Sequence, residues 1–195
     1  DDASKGEIIF ICVPTPSNPD GSCNTSIVEK AVEKFGSGDK IIVIKSTVEP
    51  GTAAKLAKKY HYYLFFNPEF LTEKNAWEDF IRPDRQIVAY AHADSMIDDE
   101  HPRLYHKYIY LGGTILKLLP LTRFSSPQSS DKEGLFFANS TEAEIGKYGA
   151  NIFGAMKVAF ANIIFDICEA LELELRQKNI FMKVDPSYAL KIIAQ

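Results

Sequence analysis

Short unbroken apolar runs recur along the first half of the chain, each closed by polar or turn-forming residues. Ile8 to Val13 is stopped by Pro14, Ile41 to Ile44 lies within Lys40 to Thr47, Tyr62 to Phe66 ends at Asn67-Pro68, and Gln86 to Ala91 forms the fourth. Runs without polar alternation predict strands buried on both faces, the kind found in parallel sheets. Between them the apolar period lengthens. Thr25 to Phe35 places Ile27, Ala31, Val32 and Phe35 at helical spacing and is stopped by Gly36 and Gly38. Thr52 is positioned to cap a helix reaching about Tyr60, and Thr72 to Phe80 opens with a Thr-x-x-Asn variant of the capping box. Strand and helix in alternation predict an α/β fold with right-handed crossovers and a mainly parallel sheet.

The pattern then changes. Asp98 to Lys107 reads as helical, Ile109 to Leu121 is apolar around Gly112-Gly113, and Phe124 to Gly134 is polar and turn-rich, a loop or domain border. From Ser140 to about Leu175 the helical pattern hardly breaks, with Ser140 or Thr141 as cap and Glu142 and Glu144 in the first turn. Such a helix spans ~50 Å at 1.5 Å per residue. Its apolar positions (Ile145, Ile152, Phe153, Met156, Phe160, Ile163, Ile164, Ile167, Cys168 and Leu171) exceed one narrow stripe, which predicts packing against a second domain or subunit. Gly146, Gly149 and Gly154 each cost about 1 kcal/mol in a helix, so something is expected to approach closely there. Asp185-Pro186-Ser187 opens a last helix towards Gln195. Residues 1–138 therefore read as one domain and 139–195 as the start of another.

Composition narrows the class. Over 195 residues, 46% are hydrophobic and 25% charged, the balance of a globular chain. Net charge is −4 and the basic residues are scattered, which argues against nucleic acid as partner. Cys12, Cys23 and Cys168 have no disulfide or zinc spacing, and Cys12 and Cys168 read as buried, inert thiols. His61, His92, His101 and His106 lack metal-ligand spacing and read as surface residues. No apolar run approaches the ~18–20 residues of a membrane span and no signal peptide is visible, so no membrane partner and a cytoplasmic location are expected. The chain begins at Asp1 without methionine, and a native N-terminus is expected to be missing.

Chemistry is sought where buried strands end, because ligands of open parallel sheets bind at the carboxyl ends. Val13-Pro14-Thr15-Pro16, Lys45-Ser46-Thr47 and Asn67-Pro68-Glu69 follow the first three strands and would share one rim. Singly, each reads as loop punctuation; in register they read as a site. Lys147 and Asn151 lie four apart on one helix face and can hold an oxyanion, or be no more than a solvated face.

These strings, in order, resemble the UDP-glucose/GDP-mannose dehydrogenase family. The residues that carry the resemblance are Ile11-Cys12-Val13-Pro14-Thr15-Pro16, Lys45-Ser46-Thr47-Val48-Glu49-Pro50-Gly51-Thr52, Asn67-Pro68-Glu69-Phe70-Leu71-Thr72-Glu73 leading to Arg82-Pro83-Asp84-Arg85, and Thr141-Glu142-Ala143-Glu144-Ile145 with Lys147 and Asn151. The resemblance implies the later half of a Rossmann-like NAD-binding domain followed by the long helix of an all-α dimerisation domain. It implies oxidation of the C6 alcohol of a nucleotide sugar, UDP-glucose by default, to a carboxylate with two NAD in succession, by a homodimer. Val13, Pro14 and Thr15 would lie near NAD, Thr47 would contact it and order the hydrolytic water, and Glu69 would be general base or acid. Phe70, Leu71 and Thr72 would present backbone groups to the substrate, Glu73 would line cofactor and substrate, and Lys147 with Asn151 would stabilise the oxyanion.

Two family features are absent from the sequence. There is no Gly-x-Gly-x-x-Gly turn, and no cysteine in a Gly-rich loop after the long helix; Cys168 lies within that helix and is rejected as nucleophile. The chain is therefore expected to be the central part of such an enzyme and inactive alone. Alternatives are an inactive remnant or split-enzyme half serving as a binding or oligomerisation module, and a 3-hydroxyacid type of NAD dehydrogenase, against which Asn67-Pro68-Glu69-Phe70-Leu71 speaks.

Overall fold

The computed structural model describes residues 5–38, 40–91, 102–124 and 134–194. His92, His101 and the start of the helix expected from Asp98, together with most of the loop expected over 124–134, lie outside them. The chain divides into two compact units, Asp1–Tyr148 and Gly149–Gln195.

The first unit is built on a five-stranded sheet whose strands follow chain order: β1 (Ile8–Ile11), β2 (Ile41–Ile44), β3 (Tyr63–Phe66), β4 (Gln86–Ala91) and β5 (Leu135–Asn139). Helices α1 (Ser26–Phe35) and α2 (Thr52–Tyr60) link β1 to β2 and β2 to β3, and both pairs are parallel. Alternate residues of the apolar runs supply two cores. Ile42, Ile44, Leu64 and Phe66 pack with Val28 and Val32 of α1 and Leu56 of α2. On the other face Ile41, Val43, Phe65 and Val88 pack with Tyr108 and Ile115 of α4 (Pro102–Leu118). Both faces being covered is why these strands carry no polar alternation. In α1 the residues turned fully inward are Val28 and Val32, whereas Ile27 is exposed.

Three details depart from the sequence-based expectation. β4 runs antiparallel to β3. The intervening helix α3 (Ala76–Ile81) buries no residue, so it is no crossover packed on the sheet, and the chain returns alongside β3. β5 pairs parallel with β4 and was not anticipated, because its five residues stand directly between a polar loop and a helix. The apolar stretch around Gly112-Gly113 belongs to α4: a Cβ at Gly112 would stand 2.3 Å from the Phe137 ring, so glycine lets this helix approach β5.

Helix α5 (Ser140–Gln177) starts on a reciprocal cap. The Glu142 N–H donates to Asn139 Oδ1 (2.9 Å) and the Asn139 N–H to Glu142 Oε2 (3.2 Å), so the cap is Asn139 rather than Ser140 or Thr141. Glu144 does not stay on its own helix. Its side chain is fully buried and its carboxylate accepts from the N–H groups of Gly51 and Ala53 (2.9 Å) at the start of α2. Gly51 has φ +88°, a left-handed conformation that leaves Glu144, and not Thr52, to satisfy the helix start.

The second unit consists of the later part of α5 and the short helix α6 (Pro186–Ile193), capped by Asp185, which accepts from the Ser187 N–H (2.9 Å). Asn179, at φ 59°, terminates α5, and the Ile180 N–H closes it onto the Leu175 carbonyl. Phe153, Met156, Phe160, Ile163 and Ile167 are 47–63% exposed. At Gly154 the space a Cβ would fill is open, so the close approach expected there is not made within this unit. One premise of the membrane expectation changes. Among the described residues, α5 is long and apolar enough to cross a membrane by length and composition. Counting consecutive apolar residues overlooked this, because Gly149, Asn151, Gly154, Lys157 and Asn162 interrupt the run between Tyr148 and Phe165 while only Lys157 is charged.

Candidate functional site

The carboxyl ends of β1, β2 and β3 bring three of the predicted strings together. Ser46, almost fully buried, ties the first two: its hydroxyl donates to the Val13 carbonyl (2.7 Å) and accepts from the Val13 N–H (2.9 Å). The Thr15 hydroxyl donates to the Thr47 carbonyl (2.8 Å). Val13, Pro14, Thr15 and Thr47 therefore form one continuous edge, held by side chain to backbone bonds rather than by the strand ladder.

Cys12 is not the buried thiol expected. β1 ends at Ile11, and the next residue turns out onto the rim, where it is exposed. Atoms crowded around its sulfur push the thiol up from its ordinary value, while Lys45 pulls it down and Glu69 raises it further. The two residues that act on the thiol form a charged pair. Cys168 is buried as expected, and His61 and His106 are exposed.

That pair is Lys45 and Glu69, 3.1 Å apart. Lys45 also donates to Asn67 Oδ1 (2.9 Å), and Asn67, with no exposed surface, donates through Nδ2 to the Ile87 carbonyl (2.7 Å) and towards Gln86 Oε1 (3.3 Å). The Phe70 N–H donates to the other Glu69 oxygen (3.0 Å). The Phe70 ring lies between two cations, Arg85 at 4.7 Å and Lys147 at 5.1 Å from its centroid, a cation–π arrangement. Burial lowers Lys147 from the ordinary lysine value; Glu69 opposes the shift and Arg85 adds to it. A half-buried ammonium gains more than a surface lysine from a negative charge placed beside it.

Leu71 and Thr72 continue the rim and, with Glu69, Phe70, Arg85 and Arg123, line a cavity of ≈ 200 Å³. Thr72 opens a 3₁₀ turn (Glu73–Asn75) without using its own side chain as cap; its N–H (2.9 Å) and hydroxyl (2.8 Å) both donate to Asp79. These bonds hold the Asp79 carboxyl below its ordinary value. Asp79→Ala is expected to release this turn, read as severalfold faster hydrogen exchange of the Thr72 amide with the sheet amides unchanged. Glu73 stands exposed on that turn. Asn151, one turn of α5 beyond Lys147, falls in the second unit.

A larger cavity, ≈ 670 Å³, lies at the amino ends of β1 and β2, between Gly6–Ile8, Lys40–Ile41 and Tyr110–Thr114. None of the predicted residues lies there, and ligands of parallel sheets bind at the opposite end, so the rim is the candidate site. Sequence reasoning assigned no role to Lys45, Ser46, Asn67 or Arg85. All four stood in the quoted strings or beside them, but only the register of β2, β3 and β4 shows which of them meet.

Comparison with known proteins gives the same direction. Residues 1–109 match the model described as the UDP-glucose/GDP-mannose dehydrogenase family, NAD binding domain, and residues 141–193 match that family's central domain. The chain is 32% identical over 178 residues to UDP-glucose 6-dehydrogenase of Rickettsia bellii, covering 87% of this chain and 36% of that one. It is 32% identical over 179 residues to UDP-glucose 6-dehydrogenase of Pseudomonas aeruginosa, covering 85% and 35%. It thus spans about a third of the length of these relatives. Among solved structures, a UDP-glucose dehydrogenase from Pyrobaculum islandicum superposes with TM-score 0.57 at 29% identity, over 89% of this chain and 40% of that one. A GDP-mannose dehydrogenase from Pseudomonas aeruginosa, solved as a ternary complex, shares the fold with TM-score 0.65 at 24% identity, over 100% and 41%.

Proposed function

Because this chain belongs to the UDP-glucose/GDP-mannose dehydrogenase family, we propose that it is the central part of a nucleotide-sugar 6-dehydrogenase acting on UDP-glucose. The family's cofactor is NAD, and the residues present fit one edge of its site: Val13, Pro14, Thr15 and Thr47 stand side by side at the carboxyl ends of two neighbouring parallel strands. When bound, NAD accepts hydride from C6 of the sugar.

The observation that carries the reading is the charged constellation on the rim. Glu69 has one oxygen held by the Phe70 N–H and the other by Lys45, and each keeps a second lone pair. Such a carboxylate takes a proton from water as the water oxygen adds to a thiol-borne acyl carbon at C6; the carbon–sulfur bond then breaks, the proton passes to the departing sulfur, and the carboxylate product is released. Lys147, beside Phe70, offers its ammonium to the C6 oxygen as negative charge develops. Thr47 orders the water, Phe70, Leu71 and Thr72 contact the substrate, and Glu73 lines the site. The acyl-carrying thiol and the glycine-rich cradle for the NAD pyrophosphate belong to parts of the enzyme outside these residues. The exposed apolar side chains of α5, from Phe153 to Ile167, support a homodimer formed through that helix.

The test is NADH formation by the complete polypeptide offered UDP-glucose, UDP-N-acetylglucosamine and GDP-mannose in turn. Turnover with UDP-glucose, and weak or no turnover with the others, is expected. A folded protein that forms no NADH with any of them contradicts the reading and favours a binding or oligomerisation module.

A further inference from the structure

We infer that Lys45 is the positioning residue for Glu69: its ammonium, aimed by the Asn67 amide, holds the carboxylate on the rim facing the reaction. The proposal deepens the reading above and rests on it for the role of Glu69, but not for the contact.

Asn67 sets the geometry of the pair. Its side chain is fully buried at the end of β3, and its NH₂ is committed to the Ile87 carbonyl and to Gln86. The orientation of the amide is therefore fixed, with Oδ1 turned towards β2, where it accepts from Lys45. The Asn67 N–H also donates to the Ile44 carbonyl (2.9 Å), so the two strand ends that carry Lys45 and Glu69 are locked in register. Lys45 is only 14% exposed and Glu69 30%. A pair between two mobile surface side chains contributes little order, whereas here one partner is already fixed before the other arrives.

Lys45 and Lys147 then have different tasks. Two of the three Lys45 donors are engaged by Asn67 and Glu69, whereas Lys147 and Arg85 stand over the Phe70 ring, where the Lys147 ammonium can meet substrate. Among the described residues, Lys45 just beyond β2, the Phe70 N–H, Lys147 of α5 and the Cys12 thiol beyond β1 act on Glu69 or are acted on by it. Of these, Lys45 alone makes an ion pair with it among the described residues. A base that must take a proton from one particular water loses rate when it can swing, since misplacement by about 1 Å costs on the order of a hundredfold.

The proposal is tested by side-chain NMR of Glu69 in this 195-residue chain. In Lys45→Met, which keeps the apolar stem, the Glu69 side-chain order parameter is expected to fall below about 0.6, the flexible range. Lys45→Arg, which keeps the charge, is expected to recover most of it. A Glu69 side chain equally ordered in a folded Lys45→Met chain overturns the proposal. Should Lys45→Met not fold, Glu69→Gln provides the reciprocal measurement: hydrogen exchange at the Lys45 ammonium is expected to quicken, and an unchanged rate overturns the proposal. Neither readout needs turnover. Ordered Glu69 with no NADH would sink the proposed function and leave the contact, whereas mobile Glu69 in the native chain would sink the contact alone. In the complete polypeptide, Lys45→Met is expected to lower kcat about a hundredfold with KM changed far less, and Lys45→Arg to recover part of the loss; an unchanged kcat also contradicts the proposal.

Discussion

Glu69→Gln is expected to lower kcat of the complete enzyme by about 10²- to 10⁴-fold, the range lost when a positioned general base is removed. Glutamine is nearly the same shape, so the Phe70 N–H retains an acceptor and the rim keeps its fold. What is lost is the ability to take a proton. The amide also turns a donor or a neutral oxygen towards Lys45, so the cation at 3.1 Å faces no opposing charge. Steady-state NADH formation measures the loss. A companion Glu73→Gln, altering a carboxylate on the exposed 3₁₀ turn, separates the charge of the rim from the base itself.

The largest effect on stability is expected at Glu144. Glu144→Ala leaves the fully buried Ala53 N–H and the half-buried Gly51 N–H without the acceptor they now share. Each unsatisfied buried donor costs about 1–3 kcal/mol, so the substitution is expected to cost about 3 kcal/mol or more. Glu144→Gln keeps one acceptor oxygen and is expected to cost less. Burial pushes the Glu144 carboxyl from 4.5 up to about 7, against the two amide bonds that lower it. The folded chain therefore holds this proton more tightly than the unfolded chain. Its contribution to stability is fully present below about pH 4.5 and is lost as pH rises through about 7. Urea midpoints measured across this interval are expected to fall with rising pH in the native chain, and to lose that component of the slope in Glu144→Gln.

How far the sequence can be read follows from what each feature depends on. The β-branched run Ile41-Ile42-Val43-Ile44 announces a strand buried on both faces because burial on both faces removes polar alternation, and that is local information. The same holds for the helix limits at Gly36 and Asp185. The rim was legible too, since Thr15, Thr47 and Glu69 follow such strands directly. Features that depend on partners distant in the chain were not. The antiparallel turn into β4 depends on how little α3 buries, and the cap on α2 comes from Glu144, 91 residues after Ala53. Cys12 looked buried because its neighbours are apolar, yet the strand ends one residue before it. Lys45 and Glu69 meet only because β2 and β3 are parallel with Ile44 beside Phe66. No spacing within either string encodes that register.

Glu69 on the rim is proposed to serve the hydrolytic step of a nucleotide-sugar dehydrogenase. The most direct measurement is a rapid-mixing count of NADH in the complete Glu69→Gln protein, mixed with excess NAD and UDP-glucose. If Glu69 activates water only after oxidation, a burst of NADH equal to about two per active site is predicted, followed by a stall. Absence of any burst from a folded, substrate-binding protein, or unimpaired steady turnover, would contradict the account.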